Sequence, residues 1–298
     1  MTSISQPRAV APARRGRRLA VCAGGLRPAG PLTYFTLIAV LFFFAFPLYW
    51  SLVVASRGNE AVSAVPPAIW FGGNLVENVR RVFASDSVAF EKAMVNSLVV
   101  SGTITFSVLL FSTLAGFAFA KLRFRGRNAL FLAVVGTMMV PQQLGVIPLY
   151  MLMAKFGWTA KIQALIVPGL VTAFGVFWMR QFIAQAVPTE LLEAGRVDGA
   201  RTLALYWHVV LPAVRPAMAV LGMLTFMNTW NDFFWPLIVL QPDNPTVQVA
   251  LSGLASGYYQ DYSLVLTGAV LSVGPILAVF AVFGRQIIHG IMEGAVKS

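Results

Sequence analysis

Charged residues are scarce in this sequence. Only 11% of its 298 residues are charged, while 58% are hydrophobic, whereas a typical soluble domain has about 25% charged residues. This shortage excludes an ordinary soluble protein. The repeated apolar runs of about 20 residues are each long enough to cross a bilayer as a helix. The composition therefore predicts an all-α, polytopic membrane protein.

Residues that bind metals or form disulfides are also few. The sequence has one cysteine, Cys22, and two histidines, His208 and His289, which are far apart along the chain. A single cysteine cannot form an internal disulfide, and no cluster of Cys, His and acidic residues has the spacing of a metal site. We therefore expect this chain to bind no metal and no cofactor.

Sequence motifs of catalysis and nucleotide binding are missing as well. The sequence contains no G-x-S-x-G, no H-E-x-x-H and no G-x-x-x-x-G-K-[ST], which mark hydrolases, metalloproteases and P-loop nucleotide-binding proteins respectively. We therefore expect no enzymatic activity. If ATP drives the work of this chain, a separate subunit must hydrolyse it.

The apolar runs predict six membrane-spanning helices within residues 32–298. They follow a basic N-terminal arm, residues 1–31, which we expect to be disordered. The first run is too long and too aromatic for a cleaved signal peptide. Between the first two spans we expect a short helix at residues 75–83 on the membrane surface. The predicted spans are residues 32–56, 93–120, 129–153, 162–181, 217–240 and 263–283.

Lys and Arg are distributed unevenly between the two sides of this topology. With the N-terminal arm inside, 16 of the 22 Lys and Arg residues fall on the inner side and 6 on the outer side. Because cytoplasmic segments of membrane proteins carry an excess of Lys and Arg, both termini are predicted to be cytoplasmic. The net charge of +11 then belongs to the inner membrane face and does not indicate nucleic-acid binding.

Residues 187–212 form the longest polar interruption in the second half of the chain. Pro188 and Thr189 are typical of a helix start, Gly199 breaks the pattern and Pro212 ends it. The second short helix would place Leu203, Trp207 and Val210 on one apolar face. The charged residues of this segment are Glu190, Glu193, Arg196, Asp198 and Arg201. The pattern predicts two short helices that project from the membrane.

The spacing of these residues resembles the EAA loop of ABC importer permeases. That pattern reads E-A-A, then D-G three residues on, then I-x-L-P after a fixed spacing. The matching residues here are Glu193, Ala194, Asp198, Gly199, Ala200, Leu211 and Pro212. Gly195 replaces the third alanine-type residue, which predicts a looser first helix. In the family this loop docks into a cleft on a cytoplasmic ATPase subunit, so the resemblance implies that these eight residues couple the permease to the ATPase.

A second polar group lies in the predicted membrane spans. A charged side chain at the centre of a bilayer costs about 2.5–3.5 kcal/mol on insertion scales, so Asp232 should face protein or water. Amides, an acid and indoles suit sugar hydroxyls and ring faces, but hydrogen bonding between permease subunits explains them equally well. Near Gln142, prolines indicate either a packing kink or a segment that lines the pathway. The candidate translocation-pathway residues are Asn96, Gln142, Asn228, Trp230, Asn231 and Asp232.

The resemblance covers residues 32–298 and is closest to the smaller permease of maltose-type importers. It implies the type I ABC importer permease fold and the import of a di- or oligosaccharide. The implied partners are a second permease, two ATPase subunits that use ATP and Mg²⁺, and an extracytoplasmic solute-binding protein.

Two other functions remain as alternatives. One is the same importer class acting on glycerophosphodiesters or polyols. The other is a stand-alone secondary transporter, which is disfavoured because Asp232 is the only acid placed clearly within a span and no inverted repeat is evident.

Overall fold

The structure, a computed structural model, describes residues 30–85, 88–256 and 260–296, with side chains as far as residue 284. In this part of the chain every regular element is helical, so the predicted all-α class is confirmed. Most of the predicted basic arm, including Cys22, lies outside the described residues.

The helices form an almost continuous series along the described chain. In chain order they are α1 (Pro31–Ala55), α2 (Leu75–Phe83), α3 (Phe90–Lys121), α4 (Arg127–Thr137), α5 (Val146–Lys155), α6 (Gln163–Gly169), α7 (Ala173–Ala186), α8 (Thr189–Val197), α9 (Thr202–Leu205), α10 (Leu211–Ala213), α11 (Arg215–Trp230), α12 (Phe234–Val239), α13 (Val247–Ala255) and α14 (Tyr262–Val296). Short 3₁₀ turns occupy Asn59–Val62 and Gln142–Gly145. A π-helical turn, Tyr206–Val210, joins α9 to α10, so Thr202–Ala213 is one helix.

Membrane-spanning helices occur in the described residues either singly or as bent pairs. Four are long and apolar enough to cross a membrane by themselves: Pro31–Ala55, Phe90–Lys121, Gln163–Ala186 and Tyr262–Gly284. Two further pairs are bent, by 87° for Arg127–Thr137 with Gln142–Lys155 and by 77° for Thr202–Ala213 with Arg215–Trp230. If each bent pair is one span, the total is the six that the sequence predicts.

The chain divides into two compact units, residues 1–46 and 47–298. In the described part of the first unit, the turns of α1 before Pro47, the side chains are exposed and almost all apolar. Such a surface suits a helix that is surrounded by lipid.

In the second unit α3 is the central helix, and it packs against α7 and α11. Glycines bring the helices close together. A Cβ at Gly116 would lie 2.8 Å from the backbone nitrogen of Arg180 and 2.9 Å from the carbonyl carbon of Met179. Since helices gain no hydrophobic free energy by associating in lipid, close van der Waals packing at such small residues stabilises their contact.

Two clusters of buried apolar side chains lie along this unit. The first joins α3 and α7 to helix Thr202–Ala213; its members include Val108, Phe117, Met179, Ile183, Leu205, Tyr206 and Val210. The second joins α2, α3, α11 and α13; its members include Val82, Phe90, Phe226, Trp230 and Val247. The polar segment at residues 187–212 is therefore attached to the first cluster.

The fifth span differs from the predicted residues 217–240. Its helix pair begins at Thr202, and α11 ends at Trp230, where residues 231–233 separate it from the short α12. At this break the side chain of Asp232 lies near the backbone N–H groups of Trp235 and Phe234. The first N–H groups of a helix have no partner within that helix, and a nearby carboxylate is favourable to them. The position of Asp232 therefore suits the start of a new helix, α12, after α11 ends.

Two other predicted segments also differ in detail. The third span, predicted as residues 129–153, is bent by 87° where Pro141 follows α4, because proline lacks the N–H that would continue the helix. The segment between the fifth and sixth predicted spans, for which the sequence analysis gives no helix, contains α13. By contrast, the short helix predicted at residues 75–83 is present as α2 with the same bounds.

Candidate functional site

The polar segment at residues 187–212 begins with α8. Pro188 precedes the helix with extended backbone angles, φ −59° and ψ 142°, which suit the residue before a helix. Glu190 and Glu193 follow near the positive end of the helix dipole, where an acidic side chain is favourable. Leu192 is 2% exposed and packs into the first cluster, so one face of α8 is held by the protein core.

A glycine cap ends α8 and turns the chain. Gly199 has φ +82°, in the left-handed region that residues with a Cβ rarely adopt. The N–H of Ala200 donates to the carbonyl of Gly195 at 2.9 Å, and the N–H of Gly199 donates to the carbonyl of Arg196 at 3.0 Å. This pair of bonds is the Schellman motif. The Asp198-Gly199 pair therefore has a structural role as the end of the helix and the turn that follows.

Gly195 is a point of close packing between α8 and the following helix. A Cβ at Gly195 would lie 2.5 Å from Cδ2 of Leu205, and Leu205 is 2% exposed. α8 continues through Gly195. The glycine gives Leu205 the space to pack against the α8 backbone.

Helix Thr202–Ala213 enters the core along a different face from the predicted one. The predicted apolar face was Leu203, Trp207 and Val210, but Leu203 is 61% exposed and Trp207 is 49% exposed. Val210 is buried as predicted, but the side chains buried with it are Leu205 and Tyr206. The prediction differs because the π-helical turn changes the helical period, and because the helix packs its Leu205, Tyr206 and Val210 side chains into the first cluster.

Tyr206 fastens this helix to α3. Its hydroxyl lies 2.7 Å from Oγ1 of Thr113, in a buried position. Thr113 donates its own proton to the carbonyl of Leu109, at 2.8 Å, so the Tyr206 hydroxyl is the donor. The Tyr206 ring also packs against Phe117, with 5.9 Å between ring centroids. Tyr206 was absent from the sequence-based candidates because its partner lies 93 residues upstream.

The outward-facing side of α8 combines charge with exposed apolar side chains. We call it the α8 surface, and it consists of the exposed residues Glu190, Leu191, Glu193, Ala194, Arg196, Val197 and Asp198. Val197 is 88% exposed and Leu191 is 51% exposed. In the part of the chain that the structure describes, none of these charged residues forms an ion pair. Exposed apolar residues rimmed by charge are typical of protein interaction sites.

The other three predicted coupling residues follow the α8 surface along the chain. Ala200 is half-buried after the glycine cap, Leu211 is half-buried within α10, and Pro212 is exposed. Pro212 does not end the helix, which continues to Ala213 before the 77° bend. The structure therefore brings Glu193 to Ala200 together around the end of α8 and places Leu211 and Pro212 near the bend.

The polar residues of the fifth span gather at the break after α11. Asn231 donates from Nδ2 to the carbonyl of Met227 at 2.9 Å, and its Oδ1 accepts a bond from Nε2 of Gln248 at 3.3 Å. Asn228 is exposed and Asp232 is half-buried. Gln248, which the sequence-based prediction did not include, therefore joins this group from α13.

Trp230 is a packing residue in the structure. It is 1% exposed, its Nε1 donates to the carbonyl of Ser272 at 3.1 Å, and its ring stacks on Phe226. An indole whose faces are covered and whose N–H is bonded has no group free to contact a solute. Trp230 therefore joins α11 to α14, and this geometry does not support a pathway role for it.

Asn96 has a similar structural role at one end of α3. Its Nδ2 donates to the carbonyl of Pro245 at 2.9 Å and to Oδ1 of Asn244 at 3.0 Å, so both amide protons are used. The neighbouring Ser97 accepts a bond from the N–H of Val247 at 2.8 Å. These bonds hold the start of α13. Gln142, by contrast, is exposed in the bend between α4 and α5.

A cavity of about 610 Å³ lies beside α12 and α13. Most of its lining is apolar, and its polar residues are Gln241, Ser252, Ser256 and Asp261. Across residues 30–85, 88–256 and 260–296, no group of three or more His, Cys, Asp or Glu could hold a metal ion.

Residues 109–292 match the family described as binding-protein-dependent transport system inner membrane component. A similar curated protein is the lactose transport system permease protein LacG of Rhizobium radiobacter, 34% identical over 89% of this chain and 95% of that protein. The arabinooligosaccharides transport system permease protein AraQ of Bacillus subtilis is 33% identical over 74% of this chain and 78% of that protein. The sn-glycerol-3-phosphate transport system permease protein UgpE of Escherichia coli strain K12 is 29% identical over 83% of this chain and 90% of that protein.

One solved structure shares the fold. It is a chain of a bacterial ABC transporter involved in the import of the acidic polysaccharide alginate, with a TM-score of 0.72 and 21% identity. The likeness covers 85% of this chain and 94% of that one. The predicted importer permease fold is therefore confirmed.

Proposed function

Because the chain belongs to the family of binding-protein-dependent transport system inner membrane components, we propose that it is the permease subunit of a bacterial ABC importer for a di- or oligosaccharide. Membership of this family makes the chain a membrane component of a transport system and not an enzyme. The observation that carries the sugar assignment is its 34% identity to a lactose permease along 95% of that protein.

The α8 surface is the part of the chain that we assign to an ATPase subunit. Its charged residues find no ion-pair partner among the described residues, while Leu192 and Leu205 anchor the helices beneath it in the core. Such a rigid base under an exposed surface suits a contact that must transmit force. ATP and Mg²⁺ would be bound by the ATPase pair and not by this chain. Closure of that pair would move α8, and helix Thr202–Ala213 would carry the motion to α3.

Glu193 and Gly199 test this coupling. In the assembled transporter, Glu193→Ala should remove a charge that faces the ATPase, and Gly199→Val should distort the cap because φ +82° is strained for any residue with a Cβ. Both variants should reach the membrane but lose sugar-stimulated ATP hydrolysis and uptake. The matched control is Glu77→Ala, which removes an exposed acid from the first turn of another short helix, α2, outside the α8 surface. Normal transport and normal stimulated hydrolysis in both test variants would overturn the coupling assignment.

The remaining partners follow from the same proposal. A second, related permease would complete the translocation pathway, with Gln142, Asn228, Asn231 and Asp232 as its candidate polar residues in this chain. An extracytoplasmic solute-binding protein would meet the side that carries α13 and the adjacent cavity. This arrangement puts both termini in the cytoplasm, in agreement with the distribution of Lys and Arg.

Uptake of a labelled panel tests the substrate class. Cells with and without this chain would be given monosaccharides, disaccharides such as cellobiose, maltose and trehalose, and glycerophosphodiesters. Selective loss of one di- or oligosaccharide is the expected result. Loss of a diester or polyol with every sugar still entering would keep the importer class and refute the sugar assignment.

Glycerol phosphates are the second candidate substrates because UgpE is 29% identical over 90% of its length. The polar group at the break of the fifth span consists of Asn228, Asn231, Asp232 and Gln248 and contains no Lys or Arg. A phosphate would favour cationic donors there. This composition supports a neutral sugar over a phosphate ester.

A further inference from the structure

The segment that follows α1 exposes a group of apolar side chains. No charged residue occurs between Glu60 and Glu77. The exposed side chains are Val65, Ile69, Trp70 and Phe71, at 95%, 53%, 72% and 57%. We propose that residues 65–71, which we call the anchor loop, insert into the lipid interface beside the end of α1 and fasten this end of the helix to the membrane.

The contacts of the anchor loop place it below the end of α1. The hydroxyl of Tyr49 donates to the carbonyl of Ile69, and the rings of Tyr49 and Phe71 pack edge to face with 5.6 Å between centroids. Tyr49 precedes the last residue of α1, Ala55, by six positions, which is roughly 9 Å along a helix axis. Because α1 crosses the membrane, the chain folds back beside it to the depth of the interface.

Several backbone groups in and beside the anchor loop have hydrogen-bond partners. A carbonyl without a partner is costly in lipid, yet the carbonyl of Ile69 is bonded to Tyr49 and that of Trp70 accepts a bond from Nε of Arg57 at 2.8 Å. The N–H of Gly72 donates to Oγ of Ser56 at 2.8 Å. Side chains of α1 and its end thus satisfy an irregular backbone while leaving its apolar side chains uncovered.

The residues that follow the anchor loop also form hydrogen bonds to the end of α1. Asn78 in α2 donates from Nδ2 to the carbonyls of Ala55 at 2.9 Å and Arg57 at 2.8 Å, so α2 caps the end of α1. The N–H of Asn74 donates to the carbonyl of Ser56 at 2.9 Å. The chain that leaves the anchor loop is therefore held at a fixed point beside one membrane helix.

Lipid fits this surface better than water does. Three neighbouring apolar side chains held outward gain free energy by leaving water, and tryptophan is enriched where membrane helices meet the headgroups. The surface lies beside the last turns of α1, since Tyr49 in that helix is its main contact. The occupant assigned to it is the boundary between lipid headgroups and acyl chains.

Spin labelling in the assembled transporter, reconstituted in lipid nanodiscs, tests the proposal. The sequence has one cysteine, so Cys22→Ser provides a cysteine-free background for Trp70→Cys and Ile69→Cys. These changes keep the backbone carbonyls that Arg57 and Tyr49 hold. The reference is Glu60→Cys, an exposed position in the same segment, which should face water. Collision with oxygen, which concentrates in lipid, and with a water-soluble nickel chelate would be measured at each position.

Each result has a distinct meaning. At positions 69 and 70 we expect oxygen collision several-fold higher, and nickel collision several-fold lower, than at position 60. Nickel collision equal to that at position 60 would show that the loop lies in water. Low collision with both reagents would show that another subunit covers it. Either of these two results at both positions would overturn the proposal, and having two labelled sites prevents a local defect at one of them from deciding the outcome.

Discussion

The buried hydrogen bond between Tyr206 and Thr113 gives a stability prediction that two substitutions can isolate. Tyr206→Phe removes the donor and leaves Thr113 still bonded to the carbonyl of Leu109. Interhelical hydrogen bonds in membrane proteins contribute about 0.6 kcal/mol on average and up to about 1.7 kcal/mol. Since this pair is fully buried, we expect a loss of about 1 kcal/mol in the free energy of unfolding.

Thr113→Val should be the more costly of the two changes. It leaves the Tyr206 hydroxyl buried without an acceptor, which costs about 1–3 kcal/mol. In the double variant, Tyr206→Phe with Thr113→Val, both polar groups are absent. Its cost should therefore be smaller than the sum of the two single costs by about 1 kcal/mol.

Unfolding in mixed micelles, followed by tryptophan fluorescence as the denaturing detergent is increased, would measure all three variants. Tyr150→Phe is a suitable control because Tyr150 is 41% exposed; it should change the free energy of unfolding by less than about 0.5 kcal/mol. If the double variant lost the full sum of the single costs, the two hydroxyls would not interact and the attachment of this helix to α3 through Tyr206 would be refuted.

Three further predictions concern other contacts. Gly195→Ala places a Cβ against Leu205 and should cost about 1–3 kcal/mol from overpacking; adding Leu205→Val should restore part of the lost thermal stability. Asp232→Asn should weaken uptake affinity if the carboxylate contacts solute, whereas unchanged affinity with a lower yield of complex would assign it to packing alone. Burial raises the pKa of Asp261, but hydrogen bonds from Ser263 and Arg81 outweigh it and hold this pKa below its ordinary value. The Arg81–Asp261 pair should therefore contribute fully above about pH 3.9 and be lost as the pH falls through the lowered pKa, and Asp261→Asn should remove this part of the pH dependence of unfolding.

The parts of the fold that the sequence predicts are those set by local pattern. Apolar runs identify the spans because their length must match the bilayer. Gly199 identifies the turn after α8 because the required backbone angle nearly excludes other residues. The bounds of α2 follow in the same way from a short amphipathic pattern between glycine and serine residues.

The parts that the sequence does not predict depend on distant residues. Helix Thr202–Ala213 has the mixed polarity of a surface helix, and only its packing against α3 and α7 shows which of its side chains are buried. From the sequence alone Asn96 resembles a pathway residue. In the structure its amide donates a hydrogen bond to the carbonyl of Pro245, 149 positions away. Trp230 is explained in the same way by Ser272 in α14. A polar or aromatic residue in a span therefore indicates a partner, but its position in the sequence does not show whether that partner is solute or protein.

The glycine contact between α3 and α7 also restricts how the protein moves. At Gly116 the two backbones meet with no layer of long side chains between them, so no rotamer change can absorb a displacement of one helix along the other. The two helices must then swing together as one rigid lever about an axis elsewhere in the molecule.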